Sequence, residues 1–70
     1  MEAREARVRR LQLKLAHWIV HNREHAASFR KAAEESEELG KLAASGKLKE
    51  AATRMDELSE LLQTANEELG

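Results

Sequence analysis

Three histidines stand four residues apart in the stretch His17-Trp18-Ile19-Val20-His21-Asn22-Arg23-Glu24-His25, and the chain has no others. Imidazoles at i and i+4 share one face of a helix and reach a single divalent ion, as helical zinc motifs do. Each four-residue step also turns about 40° around the axis, so the ladder drifts from the polar side at His17 toward the apolar seam at His25. His21 and His25 form the better-buried pair, and His17 is the weaker third ligand. Glu68, near the end of the second helix, and Glu24 are the candidate carboxylates. Imidazole with carboxylate suits zinc, nickel or cobalt. The main expectation is a small metal-binding protein that stores, senses or delivers such an ion. The competing expectation is a structural or protein-interaction bundle without metal, in which the histidines and Asn22 only specify packing.

Other chemistries have less support. The chain lacks Cys and Tyr, which removes thiolate ligands and disulfides. Ser28 belongs to no recognisable triad, and a bundle this small offers only the gap between helices as a pocket, so no enzymatic activity is expected. Asn22 rather than Glu precedes His25 by three residues, which argues against a di-iron carboxylate site.

The elements that must position the ladder are two helices. The chain has 70 residues, no Pro and three Gly, and Ala, Leu, Glu, Lys and Arg dominate it, a composition that favours helix almost everywhere. Helix 1 is expected from about residue 2 to 39, with an extension to 45 if Gly40 is tolerated inside it. Helix 2 is expected from about 47 to 69. Ser45-Gly46 carries turn chemistry, and Gly46 is the preferred left-handed position. The apolar seam of helix 1 reads Val8, Leu11, Leu15, Trp18, Ile19, Ala26, Phe29 and Ala33, interrupted by Asn22 and His25. That of helix 2 reads Leu48, Ala51, Met55, Leu58, Leu62, Ala65 and Leu69. The fold class is an all-α, two-helix antiparallel hairpin forming a single domain over residues 1–70.

The nine-residue histidine stretch resembles a family of small helical hairpins that carry a His-Trp-Ile-x-His-Asn-x-Glu-His pattern on the first helix. His17, Trp18, Ile19, His21, Asn22, Glu24 and His25 carry the match, which fades through Ala26-Ala27-Ser28-Phe29 and the second helix. No activity comes with the resemblance. It implies that the histidines and Asn22 act as one motif, which favours a shared role such as metal binding.

Equal rise on either side of the loop places Leu69 near His17, Leu62 near Glu24 and Leu58 near Ser28. The first sixteen residues then overhang, including Val8, Leu11, Leu13 and Leu15, and a second apolar stripe of Leu13, Ala16, Val20 and Ala27 faces away from the seam. Such a chain is expected to dimerise into a four-helix bundle through Val8, Leu11, Leu13, Leu15, Ala16, Val20 and Ala27. Residues 1–35 carry 8 basic and 5 acidic side chains and residues 36–70 carry 4 and 8, a polarity that suits antiparallel helices. The basic side chains spread around the helix without interleaved aromatics, so nucleic acid is not expected. No apolar run approaches a membrane span and no secretory core is present, so a cytoplasmic protein without membrane contact is expected, with a further protein partner open.

Overall fold

The computed structural model describes residues 3–70 and the backbone of Glu2. It contains two helices, α1 (Glu2–Glu38) and α2 (Leu42–Leu69), folded back as an antiparallel hairpin, with no strand among the described residues. The molecule is a rod of 58 × 14 × 10 Å between Cα atoms, with a radius of gyration of 16.5 Å. A compact chain of this length would have a radius of about 11 Å, so the core is a single line of side chains. No described helix is long and apolar enough to cross a membrane.

The turn lies six residues before the expected position. Gly40 holds the positive φ of 74°, while Gly46 sits inside α2. The amide of Gly40 donates to the Glu37 carbonyl at 3.0 Å and that of Lys41 to the Ser36 carbonyl at 2.8 Å. This pair of bonds is the Schellman closure, which needs a left-handed residue where Gly40 stands. The sequence favours Gly46 because Ser45-Gly46 reads as turn chemistry. Ser45 instead turns its side chain into the seam, where it is buried.

Burial recurs at alternating intervals of three and four along both helices, the heptad pattern of a coiled coil. With the repeat written abcdefg, Gln12, Ile19, Ala26 and Ala33 of α1 take a, and Val8, Leu15, Asn22, Phe29 and Ser36 take d. On α2, Ser45, Ala52, Ser59 and Asn66 take a, and Leu48, Met55, Leu62 and Leu69 take d. Equal rise on either side of Gly40 sets Leu62 level with Ile19, Met55 with Ala26, Ala52 with Phe29 and Leu48 with Ala33. A large side chain mostly meets a small one, and the helices can approach closely around the buried Ala26, Ala33 and Ala52.

Several expected seam members are displaced by one position. Leu11 and Trp18 of α1, and Ala51, Leu58 and Ala65 of α2, lie beside the seam, and Gln12, Ala52, Ser59 and Asn66 occupy it. The Ser59 hydroxyl donates to the Met55 carbonyl at 2.9 Å, which satisfies it without a partner across the seam. The register also moves. Leu69 and Gly70 border a groove with Val8 and Gln12, and the Gln12 side-chain nitrogen lies 3.3 Å from where a Cβ on Gly70 would stand. Leu69 is therefore level with Gln12 rather than His17. The overhang shrinks to the stretch before Val8, and Val8 and Leu15, half-buried on the seam, belong to the hairpin itself.

Candidate functional site

The histidines form a continuous ladder on the outer side of α1. The His17 and His21 rings stack with centroids 6.1 Å apart, and the His21 and His25 rings meet edge to face at 4.4 Å. The ladder ends on Phe29, whose ring stacks on His25 at 5.9 Å. One hydrogen bond joins Nε2 of His21 and Nε2 of His25 at 2.9 Å. Because Phe29 is a seam residue opposite Ala52, the ladder braces a core side chain from outside.

These positions do not make a metal site, and the expectation of a zinc, nickel or cobalt cofactor is corrected accordingly. Among the described residues no group of three or more His, Cys, Asp or Glu is placed to hold an ion. The reason is geometric. The ladder rotates along a straight helix, so His17, His21 and His25 fall on three successive heptad positions, f, c and g, and only the last two bring ring nitrogens together. Glu24 takes f, the same position as His17, turned away from His25. Glu68, expected opposite the ladder, follows the turn to Gly40 and lies level with about residue 13, roughly 12 Å along the axis from His21.

The remaining candidate surface flanks the seam. At g on α1 stand Leu11, Trp18, His25 and Ala32, and at g on α2 stand Ala44, Ala51, Leu58 and Ala65. Apart from Arg4, which takes g in the stretch of α1 before Val8, no Asp, Glu, Lys or Arg occurs on this flank. Leu11, Trp18 and Leu58 are 46%, 44% and 45% exposed, so each is covered on the seam side and bare on the other. The e positions across the seam are polar. Arg30 pairs with Asp56, Lys49 with Glu37 at 3.6 Å, and Arg23 donates to the Gln63 side-chain oxygen at 3.3 Å. The stripe of Leu13, Val20 and Ala27 falls at b, outside that polar ladder, with Leu13 69% and Val20 55% exposed. Ala16 stands in the e row itself.

Sequence reasoning gathers Leu11, Trp18 and Leu58 into the seam and so misses the flank. The signal that separates them is the strict alternation of three and four, which small and polar residues such as Ser45, Ser59 and Gln12 continue at the true seam.

A family described as Domain of unknown function (DUF8180) matches residues 11–69, and the chain belongs to that family of all-α hairpin domains. This membership replaces the resemblance drawn on the histidine motif, whose implied shared ligand role finds no ion-holding cluster among the described residues. The match covers most of α1, the turn and all of α2. No curated protein and no solved structure matches the chain.

Proposed function

We propose that this hairpin is a non-catalytic structural and interaction module that acts by self-association, its apolar g flank buried in a four-helix bundle, with the histidine ladder and Asn22 serving packing alone. The observation that carries this reading is the g flank, which from Leu11 onward carries no Asp, Glu, Lys or Arg on either helix. A helix in a four-helix bundle covers a, d and one of e or g, and here only g is free of these residues. A two-helix rod with a one-residue-wide core is also short of stabilisation. Burying a Leu or Trp side chain contributes about 1.5–3 kcal/mol, so covering Leu11, Trp18 and Leu58 in both copies favours assembly.

Of the interface residues expected from sequence, Leu11 stays in this surface. Val8 and Leu15 serve the hairpin seam, and Leu13, Ala16, Val20 and Ala27 lie toward the polar side. Sedimentation equilibrium tests the assignment. The wild-type chain is expected at twice its monomer mass, and a Trp18→Glu, Leu58→Glu variant at the monomer mass. A Leu13→Glu, Val20→Glu variant is expected to remain dimeric. Retention of the dimer by the first variant and its loss in the second would move the interface to the b stripe and overturn the reading.

A further inference from the structure

His25 is the one titratable side chain on the g flank from Leu11 onward, and it stands midway along the paired length, which runs from Gln12, level with Leu69, to the turn at Gly40. Its side chain is exposed in the single hairpin, so a proton added there is solvated by water. In the bundle it is not. Two hairpins overlaid along their whole length bring middle to middle whether their turns lie together or at opposite ends. His25 and Leu58 of both copies therefore share the central layer in either arrangement.

Resting on the self-association proposed above, we infer that the bundle is gated by protons: it assembles only with His25 uncharged, and His21 holds it in that state. The two imidazoles are joined Nε2 to Nε2 at 2.9 Å, and such a bond needs one ring to donate a proton and the other to present a bare nitrogen. His21 lies one row further out, at c, and is exposed. A first proton is accommodated on His21, which then donates to His25 and stays in water at the rim. A second proton has to sit on His25. It replaces the hydrogen bond by two N–H groups that face each other on neighbouring cations, and it sets a cation in the central layer opposite its own copy. The packing that the ladder provides, including the stack of His25 on Phe29 at 5.9 Å, thus holds only while the pair carries no more than one proton.

No carboxylate stands where it could offset a charge on His25. On α1, Glu24 takes f, turned away from it, Arg23 points across the polar side to Gln63, and His17 adds a third imidazole stacked on His21. On α2 the nearest g residue in level is Leu58, with Leu61 and Arg54 beside it in the c row. Arg54 is itself a cation, held by Glu50 at 3.0 Å, and Glu57 lies one row further out, at f. The facing g row of a second copy has neither Asp nor Glu. Its c row has Glu35 and Glu68, each about 15 Å or more along the axis from the central layer. A buried charge without a partner strongly opposes assembly, so the second proton and the second copy exclude each other.

Sedimentation equilibrium between pH 8 and pH 5, where carboxylates stay mostly ionised, tests the gate. In His21→Gln, with one imidazole of the pair left, the dimer dissociation constant is expected to rise as pH falls through about 6.5. The rise reaches up to a hundredfold per pH unit, because each of the two copies excludes one proton. The wild-type dimer is expected to hold about one pH unit further into acid and then to weaken in the same way. His25→Gln and His25→Leu are expected to stay dimeric throughout. A wild-type dissociation constant that is flat from pH 8 to pH 5, or an acid transition that survives in both His25 variants, would overturn the gate while leaving self-association intact. A His21→Gln dimer that dissociates no earlier than wild type would overturn the holding role of His21. A monomer mass for the wild-type chain at pH 8 would overturn self-association itself.

Discussion

On one side of the seam Glu37 meets Lys49, Arg30 meets Asp56 and Arg23 meets Gln63, whereas on the other Ala32, His25 and Trp18 stand nearest in level to Ala51, Leu58 and Ala65. Both sides belong to the same two helices and flank the same core, so neither helical propensity nor the seam distinguishes them. What differs is their use. The polar side fixes which helix positions meet inside one chain, because opposite charges at matching levels favour one register. The apolar side adds nothing to that choice and leaves Leu11, Trp18 and Leu58 about half covered. A hairpin made only to be a monomer would have no physical reason to keep such a side free of Asp, Glu, Lys and Arg from Leu11 to the turn and back along α2.

The largest expected effect comes from placing one charge on each side. Ala44 is exposed in the isolated hairpin, and Glu in the first turn of α2 suits the helix dipole, so Ala44→Glu should leave the monomer intact. In the assembled bundle the carboxylate would be buried without a partner, which costs about 3–5 kcal/mol. The dimer dissociation constant should rise more than a hundredfold. Gln63→Glu, placed beside Arg23 on the polar side, should leave it within about threefold. Sedimentation equilibrium of the two variants compares the sides directly, and equal effects would remove the distinction between them.

The hairpin, its two helices and the Asn22 seam position were legible because composition and periodicity repeat over many turns. The turn was not, because Ser45-Gly46 and Leu39-Gly40 carry similar local chemistry, and the choice depends on whether Ser45 has somewhere to be buried. That misplacement shifted the register by about five residues, carried Glu68 opposite the histidines and lengthened the overhang to include Val8 and Leu15. The ladder itself was legible as an i, i+4 pattern. Its use was not, since spacing cannot say whether other ligands arrive from the second helix. Phe29 at the ladder's foot was visible four residues beyond His25, continuing the series as an aromatic instead of a ligand.

Since register defines both sides, the two inner glycines sharpen the contrast next. Gly40, at φ 74°, closes α1, and Gly40→Ala should cost about 1–2 kcal/mol through left-handed strain. Gly46 lies inside α2, and a Cβ added there would meet open space, with nothing within 4 Å. Gly46→Ala should stabilise by about 0.5–1 kcal/mol. Thermal melts should therefore move in opposite directions, by roughly 4–8 °C per kcal/mol in a chain of this size. A gain from Gly40→Ala would return the turn to Gly46 and with it the register that sets Glu68 near the ladder.

The smallest effect belongs to the polar side. Arg30 and Asp56 form the central rung of that side, but their side chains are 50% and 43% exposed, and water and salt screen such pairs strongly. Arg30→Ala should cost less than about 1 kcal/mol at low ionic strength and nearly nothing in about 1 M sodium chloride. The same pattern is expected for Lys49→Ala, whose partner Glu37 lies 3.6 Å away. Each melt is run at both salt concentrations beside wild type, so that general salt effects on helices cancel in the difference. If the loss persisted at high salt, Arg30 would be contributing through its aliphatic stem packed on the hairpin, and the polar side would count as part of the core. A loss confined to low salt leaves it as the side that selects register, with cohesion coming from the seam and the opposite flank.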